Sequence, residues 1–134
     1  RLRGIEGTFG FNVDEWKVDG SVTALDPKND SGATSGKILP RRARASGRVD
    51  VDRRFGEFAF GLTGYAAGKR WDDLANTKRL GGYATLDLRA EYAFAPSWLV
   101  QAKIENIADR DYETAAFYAQ PGRTYFVTLR YRAR

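Results

Sequence analysis

The chain has 134 residues, 22 of them lysine or arginine against 17 aspartate or glutamate, and contains neither cysteine nor histidine. That inventory excludes disulfides, thiolate or imidazole zinc sites, and the nucleophilic triads that need histidine. The net charge of +5 would suit an anionic surface such as lipopolysaccharide, but excess arginine is as common on outer loops and in barrel lumens, and no nucleic-acid role is expected.

In chain order, Ile5, Gly7, Phe9, Phe11 and Val13 share one face of a first strand, opposite Glu6, Thr8, Gly10 and Asn12. Asp14-Glu15 is a tight turn. Trp16, Val18, Gly20, Val22 and Ala24 then oppose Lys17, Asp19, Ser21 and Thr23, and residues 26–39 form a polar loop. The third strand alternates Ala43, Ala45, Gly47, Val49 and Val51 with Arg42, Arg44, Ser46, Arg48, Asp50 and Asp52, so it cannot be buried on both faces. After the Phe55-Gly56-Glu57 turn, Phe58, Phe60, Leu62, Gly64 and Ala66 oppose Ala59, Gly61, Thr63 and Tyr65, and the glycines argue against a helix. A loop over residues 68–82 ends in a Gly81-Gly82 turn, and Ala84, Leu86, Leu88, Ala90 and Tyr92 then alternate with Thr85, Asp87, Arg89 and Glu91. Across Ala95-Pro96-Ser97, Trp98, Val100, Ala102 and Ile104 oppose Leu99, Gln101, Lys103 and Glu105. Beyond a loop over residues 108–123, Tyr125, Val127, Leu129 and Tyr131 oppose Thr124, Phe126, Thr128 and Arg130. The chain therefore reads as all-β, an antiparallel meander of about seven strands without a helix.

Connections alternate in length. Short turns at one end and long loops at the other are the pattern of an outer-membrane barrel, whose strands need only about 9–11 residues with one apolar face to cross a bilayer. No run of about 18 apolar residues exists that would make a membrane helix. Aromatics fall where interfacial girdles belong: Trp16, Phe58, Phe94, Trp98 and Tyr131 near the short turns, Trp71, Tyr83 and Tyr125 near the long loops. Arg42, Arg44, Arg48, Asp50, Asp87, Arg89, Glu91, Lys103, Glu105 and Arg130 would then line a wet lumen and pair across neighbouring strands. The alternative is a soluble antiparallel barrel, in which the same aromatics fill the ends of a core.

Chemistry has few places to reside. Asp26 to Asp30, Asp72-Asp73, and Asp109 with Asp111 are acidic clusters, but Lys28 and Ser31 stand where a calcium loop wants a ligand and a glycine, so ordinary solvated loops are expected. Neither catalysis nor a cofactor is expected.

The block Glu105-Asn106-Ile107-Ala108-Asp109-Arg110-Asp111-Tyr112-Glu113-Thr114, followed by Pro121-Gly122-Arg123 and an alternating terminal strand, resembles the C-terminal end of TonB-dependent outer-membrane receptors. Leu39-Pro40-Arg41-Arg42-Ala43, Gly68-Lys69-Arg70-Trp71-Asp72, Gly81-Gly82 and Leu86-Asp87-Leu88 resemble, more narrowly, the vitamin B12 (cobalamin) branch of that family. The resemblance covers roughly residues 39–131. It implies that residues 1–134 are the C-terminal segment of a barrel of about 22 strands, without the plug domain or the N-terminal box that engages TonB. The start at Arg1 without Met fits such a segment. What the resemblance further implies is active uptake of cobalamin across the outer membrane, with cobalamin, TonB and outer-membrane lipid as partners. Residues 108–123 would lie outside the cell and Tyr131 at the periplasmic rim. The family's substrate-contacting arginine falls on Arg41, and Asn76 stands in for a tyrosine that the loop after Trp71 lacks. The family's barrels end on an aromatic residue, whereas here Arg132-Ala133-Arg134 follows Tyr131. A siderophore receptor of the same family, or a small self-contained β-barrel binding module, are the alternatives. Isolated from its barrel, a seven-stranded segment is expected to self-associate through its open edges.

Overall fold

Residues that alternate with period two must present one face to each environment, and pairing such segments in register extends those faces across a sheet. The computed structural model describes residues 1–133, and the part of the C-terminal reading that involves Arg134 lies outside the described residues. Its strands are β1 (Leu2–Val13), β2 (Trp16–Pro27), β3 (Ala45–Phe55), β4 (Phe58–Ala67), β5 (Arg70–Trp71), β6 (Arg79–Leu80), β7 (Tyr83–Ala95), β8 (Trp98–Glu105), β9 (Glu113–Ala115), β10 (Tyr118–Ala119) and β11 (Thr124–Tyr131). Seven of them form one sheet in the order β1-β2-β3-β4-β7-β8-β11, and the pairs β5-β6 and β9-β10 are small hairpins within the loops. Every neighbouring pair in the large sheet is antiparallel. The sheet is an open up-and-down meander, with β1 at one edge and β11 at the other.

Register decides what each face is made of. Phe11, Val18, Val51, Leu62, Leu88, Ile104 and Tyr125 stand opposite one another in a single line across all seven strands. Offset by one residue, Gly10, Asp19, Asp50, Thr63 and Asp87 form a line on the opposite face. The apolar face does not fold upon itself: Ile5 and Val127, near the two edges, remain 79% and 78% exposed. Buried hydrophobic residues among the described ones are Ala67, Leu80 and Ala116, all at the long-loop end. A soluble barrel would enclose the apolar face as a core, and this sheet leaves it outward for an apolar environment.

Three expectations are corrected. The third strand begins at Ala45, not Arg42, and the left-handed backbone of Arg41 (φ 58°) breaks the extended run just upstream of Arg42. Arg42 and Arg44 lie in the loop that leads into the strand, where Arg44 O accepts the Leu25 N–H at 2.8 Å and Arg44 Nη2 approaches Asp26 at 3.8 Å. Second, the charges on the polar face pair largely along single strands: Lys17 with Asp19 at 2.8 Å, Arg48 with Asp50 at 2.6 Å, and Lys103 with Glu105 at 2.6 Å. Residues two apart on a strand share a face about 6.7 Å apart, well within the reach of a lysine or arginine stem. Third, Tyr83 belongs to the polar face, since it pairs with Ala67 and not with the apolar line.

One ion pair does span the sheet. Arg89 on β7 reaches Asp52 on β3 across the intervening β4. Gly61 lies beneath the bridge, and a Cβ there would fall against both the guanidinium and the carboxylate. Gly64, by contrast, has only Leu86 Cδ1 at 4.0 Å. Gly61→Val is expected to destabilise the barrel by about 1–3 kcal/mol through overpacking. Gly64→Ala should stay within about 0.5 kcal/mol. Denaturant unfolding of the two full-length variants in detergent micelles checks the contrast.

Candidate functional site

The three short turns, at residues 14–15, 56–57 and 96–97, lie at one end of the sheet, and three long loops, residues 28–44, 68–82 and 106–123, lie at the other. Long segments with no core of their own need their backbone groups satisfied by side chains.

In the third loop, Asn106 takes a left-handed conformation (φ 50°) and is buried. Its side-chain oxygen accepts the Arg110 N–H at 2.9 Å, and its amide nitrogen donates to Arg110 O at 2.9 Å and to Pro121 O at 3.4 Å. Asn106 N–H in turn donates to Asp87 Oδ1 at 2.9 Å, which fastens the loop to β7. Asp109, also left-handed, accepts the Arg123 N–H at 2.7 Å, and a Cβ on Gly122 would lie 2.6 Å from that same Asp109 oxygen. The terminal motif is thus a device that closes a loop. Tyr112 within it stacks on Tyr83 at 4.0 Å, and the Arg70 guanidinium lies 5.1 Å over the other ring of that pair, Tyr83.

The second loop is organised by two adjacent carboxylates. Asp73 accepts N–H groups from Thr77 at 3.0 Å and Lys78 at 2.7 Å, and the Thr77 hydroxyl at 2.9 Å. These bonds, the Lys78 N–H first, hold its carboxyl down at about 2. Asp72 Oδ1 accepts the Ala116 N–H of the third loop at 3.1 Å and Arg41 Nε of the first loop at 2.9 Å. The Ala116 bond and then Arg41 hold this carboxyl below its ordinary value. All three loops therefore meet at one carboxylate that is only 15% exposed, a correction to the expectation that Asp72-Asp73 is merely solvated.

Both residues singled out from the sequence stand at this junction. Arg41 donates its backbone N–H to Trp71 O at 2.6 Å and spends Nε on Asp72, leaving its terminal nitrogens at an exposed surface. Asn76 (φ 57°) accepts the Ile38 N–H at 2.7 Å and donates to Ile38 O at 2.8 Å, so its amide joins the first loop to the second as a strand residue would. Sequence reading misses Phe117, 85% exposed at the β9-β10 tip with Lys78 Nζ 3.3 Å from its ring centroid. A pairing across two loops leaves no periodic signal, so nothing in the sequence marks it.

Residues 1–107 match the family model described as TonB dependent receptor-like, beta-barrel. The chain belongs to the TonB-dependent receptor β-barrel family. It is 32% identical over 131 residues to the vitamin B12 transporter BtuB of Photobacterium profundum, a match covering 98% of this chain and 21% of that protein. The chain thus spans about a fifth of the length of this curated relative. The ferric citrate transporter FecA, in its unliganded crystal structure, superposes with a TM-score of 0.89 at 21% identity over 97% of this chain and 24% of that one. The siderophore receptor PiuA from Acinetobacter baumannii does so with a TM-score of 0.83 at 22% identity, over 97% and 21% of the two chains. At these identities the likeness is one of fold. In a barrel of this family the apolar face of the sheet meets lipid and the polar face lines the lumen.

A carboxyl held low in the folded loop contributes stability above its unfolded value, near 3.8, and loses that contribution as pH falls through the folded value. The Asp73 turn over residues 73–78 is therefore expected to be held fully above about pH 4 and to weaken as pH falls towards about 2. Hydrogen exchange at the Thr77 and Lys78 amides, which donate to Asp73, should lose protection in that range, and Asp73→Asn should show the lower protection already at about pH 5.

Proposed function

We propose that the chain is the C-terminal barrel segment of an outer-membrane receptor that takes up cobalamin, energised through TonB. The observation that carries this reading is the 32% identity to a vitamin B12 transporter sustained over 98% of the chain. The long-loop end faces outward, and the three loops tied together at Asp72 form part of the mouth at which a large ligand is first held. TonB engages a part of the receptor outside residues 1–134.

At that mouth Arg41 is the substrate-contacting residue. Its exposed terminal nitrogens are donors suited to the amide-rich periphery of a corrinoid, and Asp72 fixes the direction in which they point. Asn76 acts one step back, holding residues 38 and 76 together so that Arg41 keeps its place.

Full-length receptor is expected to bind cyanocobalamin in equilibrium titration. Arg41→Ala should weaken binding about tenfold, the size of one lost charge-assisted hydrogen bond. Asn76→Ala should weaken it less and restore the mobility of residues 28–44 in hydrogen exchange. A receptor that binds a ferric siderophore and no cobalamin would remove the vitamin from this reading and leave the family in place.

A further inference from the structure

Below its long-loop rim, where Arg3 and Asp26 pair, the lipid-facing side of the sheet carries one charge. Between the Ile5–Ala24 pair and the short turns, every residue with that orientation on the seven strands, among those described, is uncharged except Arg53. Its position is not random in depth. Arg53 lies directly opposite Trp16 on β2 and Phe60 on β4, and two residues before Phe55. Aromatic rings continue from there around the short-turn end, Phe58 with Tyr92 at 4.4 Å, Phe94 with Trp98 at 6.3 Å and Trp98 with Tyr131 at 4.8 Å. Such a girdle marks the level of the lipid headgroups.

The side chain is held but not satisfied. Its guanidinium carbon lies 4.0 Å from the Phe55 ring centroid and 4.7 Å from that of Trp16. Nε is buried without a hydrogen-bond partner, and Nη2 meets only the Glu15 carboxylate at 3.8 Å, too far for a hydrogen bond, from a side chain largely in water, so the donors left for a ligand are the two terminal nitrogens. A planar fork of donors, fixed between two aromatic faces at headgroup depth, matches the two free oxygens of a phosphodiester. The flanking rings supply apolar surface for the glycerol and the first methylenes of the acyl chains.

We propose that Arg53, with Trp16 and Phe55, forms a binding site for the phosphodiester of a glycerophospholipid in the leaflet at the short-turn end of the barrel. Glu15 opposes the phosphate, being an anion on the same fork. The site is independent of which ligand the receptor transports.

The test is native mass spectrometry of full-length receptor in a mild detergent, titrated with palmitoyl-oleoyl phosphatidylglycerol. As a phosphate-free control, the same receptor is titrated with a galactosyl diacylglycerol of matched chains. The native receptor is expected to retain one phosphatidylglycerol in preference to the galactolipid. Arg53→Gln should lower that retention about tenfold, and Glu15→Gln should raise it about threefold. Equal retention by the native protein and by an Arg53→Gln variant that migrates as a folded barrel would overturn the proposal, as would equal retention of the two lipids by the native protein. Where Arg53→Gln fails to assemble, Glu15→Gln decides, because unchanged phosphatidylglycerol retention in that variant contradicts a shared fork.

Discussion

Everything in this molecule depends on strand pairing in one register. A backbone that crosses hydrocarbon must satisfy each N–H and C=O within the protein, and a sheet does so sideways, strand to strand. Because side chains alternate, the same pairing that satisfies the backbone also sorts residues into two faces, and a slip of one residue would exchange them. The seven-strand line from Phe11 to Tyr125 keeps one register through the middle of the sheet, and the register shift between Tyr92 and Ala95 on β7 falls at the short-turn end. The same logic leaves β1 and β11 with one unpaired side each, which in a closed barrel is where further strands attach.

Period-two alternation makes the two faces legible in the residue order, because burial on one side and wetting on the other leave a direct trace in residue type. Strand ends leave a weaker trace. The third strand reads longer than it is since Arg42, Ala43 and Arg44 keep the alternation going, while the left-handed turn at Arg41 just upstream of them is a backbone event. Tyr83 misleads for a related reason: an aromatic at a strand end suggests a lipid girdle, yet its register with Ala67 turns it to the lumen to stack on Tyr112. Opposite charges on adjoining strands suggest pairs that cross between them, and the reach of long side chains along one strand satisfies most of those charges instead.

The loops are legible only as a motif, and the structure explains what that motif encodes. Asn106 and Asp109 replace missing backbone partners, and Gly122 makes room for the Asp109 carboxylate. These are requirements of closing a long loop onto the final pair of strands, and they hold whatever ligand the receptor carries. The terminal block therefore reports how the loop closes and is silent about substrate.

Under the proposed function, substrate preference falls to side chains that the loop-closing bonds leave free, and their placement is indirect. Arg41 points where it does because Asp72 accepts its Nε, and Asp72 is itself held by the Ala116 N–H of another loop. Asn76 ties the same two loops a few residues away. A ligand that drew Arg41 from Asp72 would remove one of the two bonds at that carboxylate and leave the Ala116 N–H to hold it. The three long loops are thus joined at one partly buried acid, which accepts a bond from each of the other two.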